Sequence, residues 1–337
     1  MKILIIGNRA ATNIGGSLER AGIELGLDIH LLESHLAMEA SWPIAKFSWY
    51  FRGHRPAKLK EFNMRVIEMA SSIRPDWLLS VGMAPVENQT LIEFKKLKIK
   101  RAVYLTDDPW NPSHRAAWFL NALPLYSHVF TPRESIVNDL KSIGCGNIHY
   151  LPFGYDPALF YPEKLPLSEN RKNYEFDILF VGSADRDRAR YIEALIEAGF
   201  NLGLYGSFWQ RFGKIKRFSR GQADPKALRL AISNSKVVLC LVRRSNRDGN
   251  SMRTFEIPAI GSCMLTEDTD EHRKIFGNEG EAVAYFKNIN EMIQKARFLI
   301  ANETERNRLA EKCYSLIVNG GNTYKDRLLT MLKLAEA

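Results

Sequence analysis

Residues 2–8 read KILIIGN, and residues 177–183 read DILFVGS. Each is a short apolar run rich in β-forming residues. Each ends in glycine and a small polar residue, and a helical pattern follows. A parallel strand enters the first strand-to-helix turn of a nucleotide-binding α/β domain in this way. The pattern occurs twice, the second time near mid-chain, and so predicts two doubly wound, Rossmann-like domains in tandem.

Working outward from these runs, further strands are expected at 27–32, 77–81, 101–105, 128–131 and 148–151. In the second half they are expected at 201–205, 236–242, 263–265 and 282–285. Helical patterns lie between them, for example at 14–25, 58–73, 87–94 and 133–143. Strand–helix alternation throughout predicts parallel sheets covered on both faces. A linker is expected at 161–174, which carries two prolines, many charges and little apolar content. The domains are therefore expected at 1–165 and 175–320. Residues 321–337 are expected to form a final amphipathic helix.

The chain has 337 residues, 45% of them apolar and 25% charged, which suits two globular cores better than one. Its four cysteines are far apart and form no Cys-x-x-Cys pair. Neither a zinc site nor a disulfide framework is expected, and buried reduced thiols in a cytoplasmic protein fit best. The apolar run at the N-terminus is too short for a signal sequence, and the longest uninterrupted one, 237–242, is far below a membrane span. The net charge of +9 favours an anionic partner, such as a nucleotide, an anionic membrane surface or a nucleic acid. No recognisable nucleic-acid-binding module is present, so nucleic acid is not expected as a partner.

The stretch 247–262, RDGNSMRTFEIPAIGS, carries the densest chemistry. Asn250 or Ser251 can cap a helix that runs to about Ile260 and stops at Gly261. The unsatisfied N–H groups of such a start suit a phosphate. Arg253 lies in the first turn, where acids are normally preferred, so it needs an anion to meet. Glu256 lies one turn deeper, between Phe255 and Ile257. A carboxylate there either accepts the hydroxyls of a ribose, pairs with a nearby arginine, or faces water.

Asp248 and Glu256 match the acid-x7-acid spacing of GT-B glycosyltransferases, with Asp at a first position where Glu is usual. SMRTFEIPAIGS resembles the Arg-Thr-Phe-Glu segment of the CgeB/YkvP-like glycosyltransferase group. LTDDPW at 105–110 is similar to the Asp-Asp-Pro-Trp motif of that group. LPFGYDPALFYP at 151–162 resembles the segment that closes the N-terminal domain of such enzymes. The resemblance implies a GT-B fold, two Rossmann-like domains facing a cleft, with the acceptor on the first, the nucleotide sugar on the second, and the final helix at 321–337 crossing back to the first. It implies transfer of a sugar, hexosyl in kind, from a nucleotide diphosphate sugar to an acceptor hydroxyl, with no cofactor beyond the donor. By the same resemblance Glu256 takes the ribose, Arg253, Thr254 and the nearby backbone of Asn250 and Ser251 take the diphosphate, and Asp248 faces the sugar. Gly182, Ser183 and Arg186, just past the second-domain strand, are further candidates for phosphate contact.

Asp107 and Asp108 follow a strand, at the edge where doubly wound sheets bind ligands. Either can act as general base toward the acceptor, and His114 is the nearest histidine. Alternatively the pair is an ordinary turn before Pro109. The opening loop, with Asn13, Gly15 and Gly16, lacks the Gly-x-Gly-x-x-Gly spacing of dinucleotide folds. Glu33 leaves a dehydrogenase reading open, but either a cleft loop whose glycines let backbone approach the substrate or an ordinary strand-to-helix turn fits better. Asp185-Arg-Asp187 and Asp268-Thr-Asp270 read as helix starts rather than metal sites, and no metal is expected.

Two aromatic and basic stretches remain, 42–60 and 208–221. The first can lie on an anionic membrane or grip a lipid-linked or polymeric acceptor. The favoured expectation is a partly buried helix followed by a solvated basic one. The partners expected are thus a nucleotide sugar and a glycan, lipid-linked or protein acceptor, in the cytoplasm, with peripheral contact at the inner membrane face left open. Alternatives are a sugar-nucleotide epimerase of the same fold and a degenerate GT-B module that binds sugar or assembles a surface layer.

Overall fold

A computed structural model describes residues 1–10, 12–167 and 171–336. The chain forms two compact units. Unit 1 comprises Met1–Pro152, Ser245–Arg247 and the segment from Tyr324, and unit 2 comprises Phe153–Arg244 and Asp248–Thr323.

Unit 1 holds strands β1 (Lys2–Gly7), β2 (Asp28–Glu33), β3 (Trp77–Val81), β4 (Lys100–Tyr104), β5 (His128–Thr131) and β6 (Asn147–Tyr150). They form one sheet in the order β2-β1-β3-β4-β5-β6, with every pairing parallel. Helices α1 (Ile14–Glu24), α2 (Trp42–Phe51), α3 (Leu59–Ile73), α4 (Asn88–Lys96), α5 (Ala117–Ala122) and α6 (Val137–Ser142) lie in the connections. Because parallel strands are covered on both faces, β1 is a continuous run of buried Ile and Leu rather than an alternating one. One core joins Leu4, Ile6, Leu78 and Val103 to Phe62, Phe94 and Phe119.

Unit 2 holds β7 (Ile178–Val181), β8 (Leu202–Tyr205), β9 (Val237–Cys240), β10 (Met264–Glu267) and β11 (Ala284–Phe286). The sheet order is β11-β10-β9-β7-β8, again all parallel. Helices α7 (Arg186–Glu197), α8 (Pro225–Asn234), α9 (Met252–Ala259), α10 (Asp270–Phe276), α11 (Ile289–Ala301) and α12 (Glu303–Val318) complete it. Its core gathers Ile178, Phe180, Ile192, Leu239, Leu265 and the fully buried Trp209. All four cysteines are buried and unpaired with one another.

The final helix, α13 (Tyr324–Glu336), belongs to unit 1 and packs on α1. There Lys325 pairs with Glu24 at 2.6 Å, and Lys100 donates to the Ala335 carbonyl at 2.9 Å.

Two sequence expectations need correction. The division falls at Pro152/Phe153 rather than near residue 165. The segment after it is tied into unit 2 by contacts distant in sequence. Tyr155 donates its N–H to the Asn322 carbonyl at 3.1 Å, and Arg229 holds the Leu159 carbonyl at 3.0 Å and Glu163 at 2.6 Å. Of the expected linker, residues 168–170 lie outside the described residues, and Arg171–Asn173 forms a short 3-10 turn.

The second correction concerns 42–60. Helix α2 is not partly buried on its apolar side. Trp42, Ile44, Phe47, Tyr50 and Phe51 are exposed at 72%, 57%, 57%, 67% and 78%. By contrast 208–221 is anchored by the fully buried Trp209 and Ile215, with Phe208 and its basic residues exposed. Among the described residues no helix is long and apolar enough to cross a membrane.

Candidate functional site

In unit 2 the strand order reverses at β7, which has β8 on one side and β9 on the other. In open parallel sheets a crevice forms beyond the carboxyl ends of the strands at such a reversal. The loops that leave β7 and β9 therefore meet there. They carry Gly182 and Ser183 on one side and the start of α9 on the other. Arg253 of α9 donates its Nε–H to the Val181 carbonyl at 3.3 Å, so the two loops are in contact.

The start of α9 is built from buried polar groups. Ser251 is its extended N-cap, and the Ser251 N–H donates to the Thr254 hydroxyl at 2.9 Å. That hydroxyl lies 3.0 Å from His272 Nε2, and His272 Nδ1–H donates to the Glu267 carbonyl at 2.8 Å. Burial pushes the His272 imidazole down to about 4, so it is neutral at neutral pH and its Nε2 accepts from Thr254. Asn250 is fully buried, and its amide donates to Glu271. A Cβ on Gly249 would sit 2.5 Å from the Glu271 side chain, so only glycine lets the loop pass that carboxylate. These contacts correct the expectation for Thr254, whose side chain faces the interior and holds the helix start in place rather than meeting a donor. The Asn250 side chain is committed inward as well, to Glu271, while the expectation for Asn250 concerned its backbone.

Glu256 is fully buried. Its charged partner is Arg253, one turn earlier on the same helix, and neither carboxylate oxygen accepts a hydrogen bond from another described group. A buried carboxylate with its hydrogen-bonding capacity so little used is costly, and such groups mark sites where something else is received. Arg253 keeps 23% of its side chain exposed. It is therefore the member of the pair that can turn toward an incoming anion.

Around the crevice the candidates divide. The Gly182 N–H is committed to the Tyr205 carbonyl at 2.9 Å, and the Gly182 carbonyl accepts from Trp209 Nε1 at 2.8 Å. Gly182 is thus a strut of the fold and not a phosphate donor. Ser183 is half-buried, and its carbonyl accepts from Arg188 at 3.2 Å. Arg186 is exposed at the first position of α7, capped by Asp185, which accepts the Arg188 N–H at 2.9 Å. Asp248 is half-buried and accepts the Arg243 N–H at 3.3 Å.

Two residues were missed at the sequence level. Arg188 clamps the loops together by donating to the Ser183 and Leu241 carbonyls at 3.2 and 3.0 Å. Arg243 follows β9 at the carboxyl edge, half-buried, with Asp185 3.9 Å away. The signal for Arg243 was its place directly after an apolar strand. The Asp-x-Asp pairs are helix starts, as expected: Thr269 caps α10 by accepting the His272 N–H, and Asp268 pairs with Arg273 at 2.5 Å.

In unit 1, Asp107 and Asp108 leave β4 with different surroundings. Asp108 is buried and doubly engaged by Arg247, whose Nε and Nη2 donate to its two oxygens at 2.6 and 3.0 Å. One oxygen also accepts the Trp110 N–H at 2.9 Å. Asp108 in turn holds the Arg247 guanidinium charged. His114 donates its Nε2–H to the Asp108 carbonyl at 2.8 Å, and its Nδ1 faces the Ser113 hydroxyl at 3.3 Å. Both residues are thereby committed to the shape of the turn. Asp107 is half-buried with only long contacts, to the Thr106 hydroxyl and to the Asn246 amide, each 3.4 Å. Of the three expected candidates it is the least committed to other groups.

The opening loop is also corrected. A Cβ on Gly15 would lie 2.7 Å from the Asn8 carbonyl oxygen, and one on Gly16 2.5 Å from that of Arg9. Both glycines are buried, so the close approach they permit is to the chain's own turn. Asn13 is exposed and makes no side-chain cap. Glu33 accepts the Arg9 N–H at 3.3 Å.

Residues 186–333 match a family model described as glycosyl transferase-like. No curated protein matches the chain in sequence. A sucrose-phosphate synthase from Thermosynechococcus elongatus superposes with a TM-score of 0.73 at 14% identity, over 100% of this chain and 98% of that one. An alpha-glucosyltransferase solved with UDP and a 13-mer DNA containing an HMU base gives 0.66 at 12%, over 100% of both chains. A UDP-GlcNAc 2-epimerase from Neisseria meningitidis, bound to UDP-GlcNAc, gives 0.53 at 15%, over 99% of this chain and 100% of that one. The chain has the GT-B glycosyltransferase fold, with two Rossmann-like domains.

Proposed function

We propose that this chain is a glycosyltransferase that moves a sugar from a nucleotide diphosphate sugar to an acceptor hydroxyl. The observation that carries the reading is Glu256: a fully buried carboxylate at the strand-order reversal of unit 2, paired with the partly exposed Arg253. The glycosyl transferase-like match covers the same region.

On this reading the ribose hydroxyls donate to Glu256 when Arg253 turns from it to the diphosphate. The first N–H groups of α9 and the half-buried Arg243 add to that anion site. Asp248 faces the sugar. As the glycosidic bond to phosphate breaks, negative charge grows on the diphosphate. Fixed cations and helix-end dipoles stabilise it most at that moment, without a required metal. Asp107 of unit 1 takes the acceptor proton, and Asp108 with Arg247 and His114 shapes the turn that presents it. The acceptor is a glycan, a lipid-linked glycan or a protein, and a nucleotide-sugar donor supports action in the cytoplasm. The Asp-Asp-Pro-Trp and Arg-Thr-Phe-Glu segments support placing the chain with the CgeB/YkvP-like group and a hexose as the moiety moved.

A thermal-unfolding screen against nucleoside diphosphates and their sugars tests the donor site. A bound ligand at about a hundred times its Kd adds about 2.7 kcal/mol to stability. Incubation of the stabilising donor without acceptor then separates the outcomes. A transferase leaves it largely intact, an epimerase converts it, and a chain that no nucleotide stabilises is neither.

A further inference from the structure

Helix α2 interrupts the connection from β2 to α3 and presents its apolar side outward. At 100° per residue, Tyr50, Pro43, Phe47, Phe51 and Ile44 fall within an arc of about 120°. The opposite side, with Ala45, Ser48 and Trp49, faces unit 1. Lys46 borders the exposed arc on one edge, and Arg52 follows the helix as its C-cap. Phe47 and Phe51 stack at 5.4 Å, and Lys46 lies 4.5 Å over the Trp42 ring.

The excursion is anchored. Lys58 donates its N–H to the Ala37 carbonyl at 2.9 Å, closing the segment at its base. His54 donates to the Arg115 carbonyl at 2.7 Å, Trp118 Nε1 donates to the His54 carbonyl at 3.3 Å, and Arg55 pairs with Glu87. The exposed aromatic face is therefore held out by the fold and is not a frayed end.

We propose that α2 is a membrane-surface helix that seats unit 1 on a leaflet bearing anionic lipid headgroups. Three observations select that occupant. The exposed face is convex and lies along one helix, with aromatic rings that suit the boundary between acyl chains and headgroups. Residues 41–60 contain five lysines and arginines and no acid; Arg55 is paired with Glu87, and Lys46, Arg52, Lys58 and Lys60 are exposed and complement an anionic surface. An open hollow of about 410 Å³ beside the helix, lined by Met38, Trp42, Trp49, Tyr50, Pro56 and Lys46, joins apolar walls to the Lys46 cation. The inference does not depend on the catalytic reading, since none of these residues belongs to the candidate site.

Flotation of the full chain with vesicles tests it. Vesicles of equal phosphatidylcholine and phosphatidylglycerol are expected to bind the chain at least about tenfold more strongly than phosphatidylcholine alone, and added salt weakens that preference. The double variant Phe47→Ser/Phe51→Ser is expected to lose about a hundredfold in partitioning, through the two anchors removed. Both side chains are exposed, so its unfolding temperature stays at the wild-type value. Three results overturn the proposal: no binding to the anionic vesicles at low salt, equal binding by the double variant, or equal binding to both vesicle types. Self-association that the double variant abolishes, without vesicle binding, assigns the face to a second copy of the chain instead.

Discussion

Replacing Glu256 by glutamine distinguishes a carboxylate held for a ligand from one held for the fold. The substitution keeps shape and volume and removes the charge. Breaking a fully buried ion pair typically costs about 3–5 kcal/mol, because one ion is left unpaired in the interior. Here the remaining ion is Arg253, which keeps 23% exposure and its bond to the Val181 carbonyl, so it can be rehydrated. The variant is also relieved of burying a carboxylate that accepts no hydrogen bond beyond the Arg253 contact. The two effects oppose, and stability should change by no more than about 1–2 kcal/mol in either direction.

Binding should respond differently. Two hydrogen bonds from ribose to a carboxylate are worth about 1.5–3 kcal/mol each, and neutral ones roughly half. Glu256→Gln should therefore weaken nucleoside diphosphate binding by about 10- to 150-fold. Titration calorimetry with the nucleoside diphosphate that the unfolding screen selects, and with its 2′-deoxy analogue, measures this, with urea unfolding as the parallel readout. The deoxy analogue should lose affinity for the wild type and much less for the variant. Wild-type affinity in the variant, together with a stability loss above about 3 kcal/mol, would falsify the ribose assignment and leave a structural ion pair.

Other expectations follow from the same contacts. Asp107→Asn should lower turnover while leaving donor affinity unchanged. Asp108→Asn should instead lower stability by about 2 kcal/mol, less than for a fully buried pair because Arg247 is 39% exposed. Steady-state kinetics and urea unfolding of the two variants side by side separate the roles, and a loss of turnover alone in Asp108→Asn contradicts the assignment. The fully buried His272 is held down to about 4, below its unfolded value near 6.5. The unfolded chain therefore takes up more protons across that interval. The stability that His272 contributes is complete above pH 6.5 and is lost as pH falls toward 4. Roughly 2 kcal/mol should be gone at pH 5. His128 and His149, also lowered chiefly by burial, add to the loss with the same sign. Urea midpoints at pH 7 and pH 5 measure it, and His272→Gln should flatten the difference; equal midpoints in the wild type contradict the linkage.

The strand and helix order was legible because it is written in local periodicity. Apolar runs that stop at glycine became β1 and β7, and the acids at Asp185 and Asp270 became helix starts because capping needs only neighbours in sequence. The roles of individual site residues were not legible, because they depend on partners far along the chain. Asp108 looked like a candidate base until Arg247, 139 positions away, was seen to occupy both its oxygens. Thr254 reads in sequence as a donor contact, but His272, 18 positions away, holds its hydroxyl inward.

The sequence by itself determined two parallel α/β sheets and the helix start that carries Arg253 and Glu256. Both follow from the spacing of apolar and capping residues over a turn or two. Only the tertiary structure decided which carboxylates stay available, why Gly15 and Gly16 are glycine, where the two units divide, and which side of α2 remains uncovered. Burial and pairing are set by what packs against a residue in space, and a residue's own neighbours in sequence carry no record of that.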